Sequence, residues 1–267
     1  MKSQPNRELN HVEIGLFLTG KKVEDKSITG QHPLYYGTVR LQGARQYHAY
    51  VKAIPGKLIY AEVLSALLGR SLGLPIPQTI PVYARGSTLG ITAEQVLCVA
   101  SLDCGAMPIG RVIRLDEVNN LLHRWSHAHT AIIFDELIAN SDRNLRNVLL
   151  GADGKLWLID HEEAMKDPIS GAHREIQNHL LKRMIEDVSK FELRRAGQRL
   201  NECATKLSEV DFKEHANLGE PATCQVSEGH VSRVIDFLED RLAHLPRLIE
   251  AGLGMRQIHI DLATKRP

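Results

Sequence analysis

The chain has 267 residues, enough for one large domain or two small lobes around a sizeable core. Its formal net charge of +1 gives no global pull toward nucleic acid or an anionic membrane surface. No stretch approaches the ~18 apolar residues of a spanning helix, the polar start MKSQPNRELN is not a signal peptide, and the cysteines (Cys98, Cys104, Cys203, Cys224) form no CxxC pair, which argues against a zinc site or disulfide framework and for reduced cytoplasmic thiols.

In chain order, residues 12–18 read as a short strand. Residues 34–41 (LYYGTVRL) and 47–54 (YHAYVKAI) read as paired strands around the turn Gln42-Gly43-Ala44-Arg45. Residues 58–72 have helical spacing, with Val63, Leu64, Leu67, Leu68 and Leu72 on one stripe, and Gly73 with LPIPQ ends the helix in a rigid exit. Strands follow at 76–83 and 95–101. Residues 115–138 predict two helices joined near Trp125 or Ser126. Further helices are expected at 173–186, 190–206 and 231–252. The boundary falls between a mixed, strand-rich segment, residues 1–105, and a mostly helical one, residues 106–267.

Between the helices lies the stretch FDELIANSDRNLRNVLLGADGKLWLIDHEEA. Asp142 is followed five residues later by Asn147. Val148-Leu149-Leu150 is an apolar strand, Ala152-Asp153-Gly154 a turn, and Leu156 to Ile159 a second strand ending in Asp160. Asp and Asn gather in turns for backbone reasons alone, so DxxxxN by itself is weak. DRxxxN, a hairpin and a strand ending in Asp-His form a stronger pattern. Phosphoryl transfer from ATP needs that order: an Asp to take the acceptor hydroxyl's proton, then an Asn and a second Asp to hold magnesium. Upstream, Lys52 ends a strand and Glu62 lies in the first turns of the next helix, the pairing that holds a lysine on ATP phosphates. Ser27, Thr29 and Gly30 form a candidate phosphate-binding loop, without GxGxxG or GxxxxGK[ST]. Ser101, Leu102 and Asp103 are the natural hinge where an adenine would meet backbone groups. Arg143 either meets a phosphorylated segment or packs the loop, and packing is preferred. His161 is expected to fix the loop by hydrogen bonding. His123, His127 and His129 include an i, i+4 pair, but no HExxH pattern accompanies it, so they are read as packing.

The order SxxG, strand-Lys, helix-Glu, LGLPIP, FDELIANSDRNLRNVLL and LIDHEEA resembles the HipA-like kinase family and, more distantly, the phosphatidylinositol 3/4-kinase core. The resemblance spans roughly residues 25 to 190. It implies an α+β, two-lobed protein-kinase-like fold with a strand-rich N-lobe and a helical C-lobe, ATP and Mg2+ as cofactors, Asp142 as catalytic base, Asn147 and Asp160 as metal ligands, and Lys52 on the phosphates with Glu62 as its partner. Asn144 stands where many relatives have His, and HipA toxins proper carry an N-terminal subdomain for which this chain is too short. The acceptor is thus left open between a protein Ser or Thr and a small-molecule or phosphoinositide-type hydroxyl, with a nucleotide-binding pseudokinase as a third expectation. No nucleic acid or membrane insertion is expected.

Overall fold

Alternating apolar and polar residues in LYYGTVR and QYHAYVK let one face of a two-stranded ribbon turn inward. In the computed structural model, which describes residues 12–25, 31–166, 171–186 and 188–254, that ribbon is the centre of a closed five-stranded barrel. Its strands are β1 (Gly15–Lys22), β2 (Leu34–Arg40), β3 (Gln46–Lys52), β4 (Thr79–Arg85) and β5 (Gln95–Leu102), in the order β1-β2-β3-β5-β4. All pairs are antiparallel except β1 with β4, which run parallel and close the barrel. Closure removes the unpaired edges that an open sheet exposes. Gly37 permits the close approach of β1 and β2, since a Cβ there would stand 2.0 Å from the Thr19 carbonyl oxygen.

The first strand begins three residues later than the pattern predicts, and β4 begins only at Thr79. The second shift has a plain cause. The Pro75 carbonyl accepts from the Leu158 amide at 2.9 Å, so this stretch ties to the later hairpin instead of to the barrel.

Helix α1 (Gly56–Ser71) lies between β3 and β4 in the chain. The single stripe expected for it is replaced by burial on every side: each residue from Ile59 to Gly69 is buried. The helix packs on β4 and β5 and also on a helix from the C-terminal part. Tyr60 Oη donates to the Ala216 carbonyl at 2.9 Å, and Gly56 lets the Cys224 carbonyl approach to where a Cβ would be 2.0 Å away.

After the short helix α2 (Gly86–Leu89) and β5, the chain passes through β6 (Ala106–Pro108) and α3 (Ile109–Val112). It then forms α4 (Leu115–Arg124) and α5 (Ala128–Leu137), the two helices expected, with Trp125 as the C-cap of the first. Strands β7 (Val148–Gly151) and β8 (Leu156–Leu158) pair antiparallel, and β6 adds to β7. The remainder is helical: α6 (His179–Met184), α7 (Lys190–Lys206), α8 (Phe212–Leu218) and α9 (Glu228–Gly252). Mixed α+β structure, strand-rich first and helical after, is what the pattern predicts.

Helix α6 is much shorter than the predicted 173–186. Fully buried Arg241 of α9 takes the carbonyls of Gly171, Ala172 and Arg174 at 3.2, 3.1 and 2.9 Å, so these groups serve tertiary contacts. Asn178 then caps the helix, its Oδ1 accepting from the Leu181 amide at 3.0 Å. Helix α7 has the predicted bounds and opens on a Ser189–Glu192 capping box.

Helix α5 is the centre of the helical part and packs against α4, α6, α7 and α9. Residues Ala131 to Leu137 are buried throughout, including two acids, Asp135 and Glu136. Each acid meets a buried arginine: Arg143 on Asp135 at 3.0 Å and Arg241 on Glu136 at 2.8 Å. Buried carboxylates require such partners. Among the described residues, no helix is long and apolar enough to cross a membrane.

Candidate active site

The loop that follows α5 is built by asparagines and one arginine. Buried Asn140 donates to Asp135 Oδ1 at 3.2 Å and accepts from the Asp142 amide at 3.1 Å. Asn147 Nδ2 donates to the Asp142 carbonyl at 2.8 Å and to its carboxylate Oδ2 at 3.3 Å. With its Nδ2 on Asp142, the Asn147 side chain has its Oδ1 left as the acceptor or ligand atom. Asn144 Nδ2 donates to Asp142 Oδ1 at 3.2 Å. The Asp142 carboxylate is thus fixed from both sides.

Arg143 has the packing role preferred from the sequence. It is fully buried, grips Asp135 through Nε and one terminal nitrogen, and donates with the other to the carbonyls of Asn147 at 3.2 Å and Ile159 at 2.5 Å. One side chain therefore ties α5, the Asp142 loop and the strand end that carries Asp160. Asp160 itself has φ 61°, in the left-handed region that Asp tolerates better than most residues. This bend follows β8 directly.

Lys52 at the end of β3 faces Asp160. Its Nζ lies 2.8 Å from Asp160 Oδ1 and 3.1 Å from Glu162 Oε2. Glu62, the partner expected from the sequence, is in the same cluster but holds a different contact, with its Oε2 3.5 Å from His161 Nδ1. Carboxylate oxygens of Glu62, Asp160 and Glu162 lie within 4.8 Å of one another.

Burial alone would lower the Lys52 pKa, but Asp160, Glu62 and Glu162 outweigh it and the net shift is upward. Burial raises Asp160, and Glu62 raises it further, against the opposing pull of Lys52. Glu162 is likewise raised, by burial first. An upward shift on both sides of an ion pair is inconsistent for an isolated pair. It follows here because three carboxylates compete for one ammonium. His161 is pushed down to about 3 by burial and by Arg143, so it is neutral. Its Nε2 finds no hydrogen-bond partner among the described residues, and its ring stands edge-on to Phe134.

A cavity of about 630 Å³ collects Lys52, Glu62, Asp142, Asn147 and Asp160. Ser101, Leu102 and Asp103 line it too, where β5 leaves the barrel toward β6. Asp103 is held in place: Tyr36 Oη donates to its Oδ2 at 2.7 Å and the Gly105 amide to its Oδ1 at 2.9 Å. The volume suits a nucleotide-sized ligand. Ser27, Thr29 and Gly30 lie outside the described residues. The donor set is oxygen only, carboxylates and an amide carbonyl, which suits a hard divalent cation such as Mg2+.

Sequence reasoning missed Glu162, Asp135 and Asn140. Glu162 stands two residues past Asp160, and across that φ 61° bend both carboxylates reach Lys52. Asp135 lies inside an apolar helix, and the signal open to sequence reasoning was acids within the otherwise apolar run AIIFDELIA.

A family model described as HipA-like kinase matches residues 40–211. Among solved structures, a Helicobacter pylori proinflammatory kinase, CtkA, is similar with a TM-score of 0.51 and 13% sequence identity, covering 91% of this chain and 99% of that one. At that identity the likeness speaks for the fold alone. No curated protein matches the sequence.

Proposed function

The chain belongs to the HipA-like kinase family, and from that premise we propose that it transfers the γ-phosphate of ATP, with magnesium, to a protein Ser or Thr hydroxyl. The observation that carries this reading is the gathering of Lys52, Glu62, Asp142, Asn147 and Asp160, far apart in sequence, around one cavity. In this reading the barrel and α1 form an N-lobe, residues 1–105, and the helical remainder a C-lobe, residues 106–267. The proposed hinge is Ser101 to Asp103, and Ser27, Thr29 and Gly30 are proposed to cover the phosphates.

Asp142 orients the acceptor hydroxyl and takes its proton as the new bond to phosphorus forms. Asn144 and Asn147 keep its carboxylate in one rotamer, so little reorganisation is needed when the acceptor arrives. Lys52 places its charge on the phosphate oxygens, and Glu62 stands beside it on a helix buried on every side. Asn147 and Asp160 would hold Mg2+, which supplies neutralisation of the phosphate charge. His161, neutral and buried, stands 3.5 Å from Glu62 and packs edge-on against Phe134, a structural neighbour of the site without a part in the chemistry. The four free cysteines suit a reducing, cytoplasmic setting.

The test is phosphoproteomics of cells expressing the wild-type chain against the Asp160→Ala form. New Ser or Thr phosphosites in the wild type alone support the reading. ADP formation by the purified protein with no new phosphosite would move the acceptor to a small molecule.

A further inference from the structure

An acceptor reaches Asp142 from solvent, past the side chains at the mouth of the cavity. Glu62 and Asn147 are buried and the Lys52 side chain is 15% exposed, whereas Ser141, Asp142 and Arg146 are exposed, and all of them line the same cavity. The groups assigned to phosphate and metal thus lie at its closed end and Asp142 at its open one. A charged side chain on the rim beside Asp142 is placed to meet the acceptor.

Arg146 is such a side chain. It stands four residues after Asp142, in the 3-10 turn Leu145–Asn147. Asn144 holds that turn: its Oδ1 accepts from the Arg146 amide at 2.9 Å and its carbonyl from the Asn147 amide at 3.0 Å. The backbone of Arg146 is therefore fixed relative to Asp142. Its guanidinium makes no hydrogen bond or ion pair with any described residue. The acids around the mouth are, by contrast, engaged. Asp142 receives Asn144 and Asn147, Asp103 receives Tyr36 and the Gly105 amide, and Glu163 pairs with Lys166. The unmet charge at the mouth is positive, and a guanidinium offers a planar fork of donors that matches a carboxylate.

The neighbouring elements add a second arginine and an apolar seat. Helix α3 packs against the 3-10 turn and against β6. Its Arg111 lines the cavity too, and meets Asp25 at 2.9 Å in an exposed pair of the kind that contributes little. Met107 of β6, on the cavity lining, and Val112 of α3 are 49% and 48% exposed, more than most large apolar side chains of the described residues. Apolar surface beside two arginines suits a peptide better than a small polyol.

We propose that Arg146, together with Arg111, reads a carboxylate on the acceptor, so that the phosphorylated Ser or Thr lies in an acidic peptide segment whose apolar side chains rest on Met107 and Val112. The proposal rests on the kinase reading of the cavity. Arg146 is a specificity residue: it touches the flanking carboxylate and leaves the hydroxyl to Asp142.

The test is binding of fluorescent Ser peptides to the full chain, followed by anisotropy. The peptides are identical except for Asp, Ala or Lys at one position flanking the Ser, scanned along the peptide. At one or two positions Asp is expected to bind about tenfold more tightly than Lys, the scale of one charge-assisted contact, and the preference should weaken at high salt. Arg146→Glu should invert the preference to Lys at the same position, which a merely damaged protein does not do. A wild type indifferent to Asp overturns the proposal, and so does an Asp preference retained in a folded Arg146→Glu protein. If that variant does not fold, Arg146→Gln decides: the preference should vanish, and its persistence overturns the proposal. A loss of affinity for a non-hydrolysable ATP analogue in Arg146→Gln, as large as its loss of Asp-peptide binding, would put Arg146 on the phosphates and also overturns it. ADP formation is followed separately. Asp preference in a chain that forms no ADP keeps the acidic-peptide site and sinks the kinase reading. ADP formation without Asp preference does the reverse.

Discussion

Breaking the Asp135–Arg143 pair should unfold the catalytic loop more severely than removing both partners together. Both side chains are fully buried, 3.0 Å apart. Removing one leaves an uncompensated buried charge, which costs about 3–5 kcal/mol. Asp135→Leu and Arg143→Met alone should each lose at least that much. The double variant leaves no buried charge. Asn147's backbone carbonyl keeps the Ile159 amide at 3.1 Å, so the double variant orphans two buried groups, the Ile159 carbonyl and the Asn140 Nδ2 that donated to Asp135. Each unsatisfied buried group costs about 1–3 kcal/mol. Each single variant orphans one of the two and leaves a buried charge besides, so the double variant should be more stable than either single one, by roughly 2 kcal/mol on these central values. Urea denaturation followed by circular dichroism at neutral pH measures all four proteins. Phosphotransfer should nonetheless be lost in the double variant, because Arg143 no longer fixes the strand end carrying Asp160. Additive losses, with the double variant the least stable, would refute the reasoning, and so would full activity without the arginine.

Three further outcomes follow from the same geometry. Asp142→Ala should lower turnover by about 10²–10⁴-fold, the usual contribution of a general base, with little change in ATP affinity by calorimetry; equal losses in both would assign it a binding role. For His161, a folded pKa near 3 against an ordinary 6.5 means that the unfolded chain binds the proton first, so the stability from keeping it neutral is full above pH 6.5 and is lost progressively as pH falls toward 3. Between pH 6.5 and 5 the loss is about 2 kcal/mol, at 1.36 kcal/mol per unit, and His161→Gln should lack it; parallel pH profiles of urea midpoints for the two proteins would contradict this. Gly56→Ala gains about 1 kcal/mol of helix propensity but drives a Cβ to 2.0 Å from the Cys224 carbonyl, an overpacking cost of about 1–3 kcal/mol. The net effect should be lower thermal stability and weaker ATP binding through a displaced Glu62, and a stabilised Gly56→Ala protein would show that α1 is not braced from the C-terminal side.

What was legible in the sequence was local. Asp142, Asn147 and Asp160 belong to one loop and one hairpin, whose turn residues and apolar strands are contiguous. Helix α7 showed its bounds because Ser189 and Glu192 mark its start. Features set by distant contacts were hidden. The parallel pairing of β1 with β4 joins strands some sixty residues apart, and nothing in either strand announces closure. Helix α6 looked longer because Arg241, about seventy residues on, claims the carbonyls before it. Helix α8 is only 7 residues long, too short for a helical period to stand out. The lysine's second hydrogen-bond partner was also out of reach: spacing suggested Glu62, whose charge does act on Lys52, and the bend at Asp160 brings Glu162 to the ammonium as well.

Incubating the purified chain with γ-labelled ATP and Mg2+, beside Asp160→Ala and an EDTA control, and following both ADP and labelled protein, shows whether this cavity performs phosphoryl transfer with Asp160 at its metal site. ADP formation or labelling is expected in the wild type, abolished by EDTA and by Asp160→Ala. Turnover that survives Asp160→Ala unchanged would contradict phosphoryl transfer at this cavity.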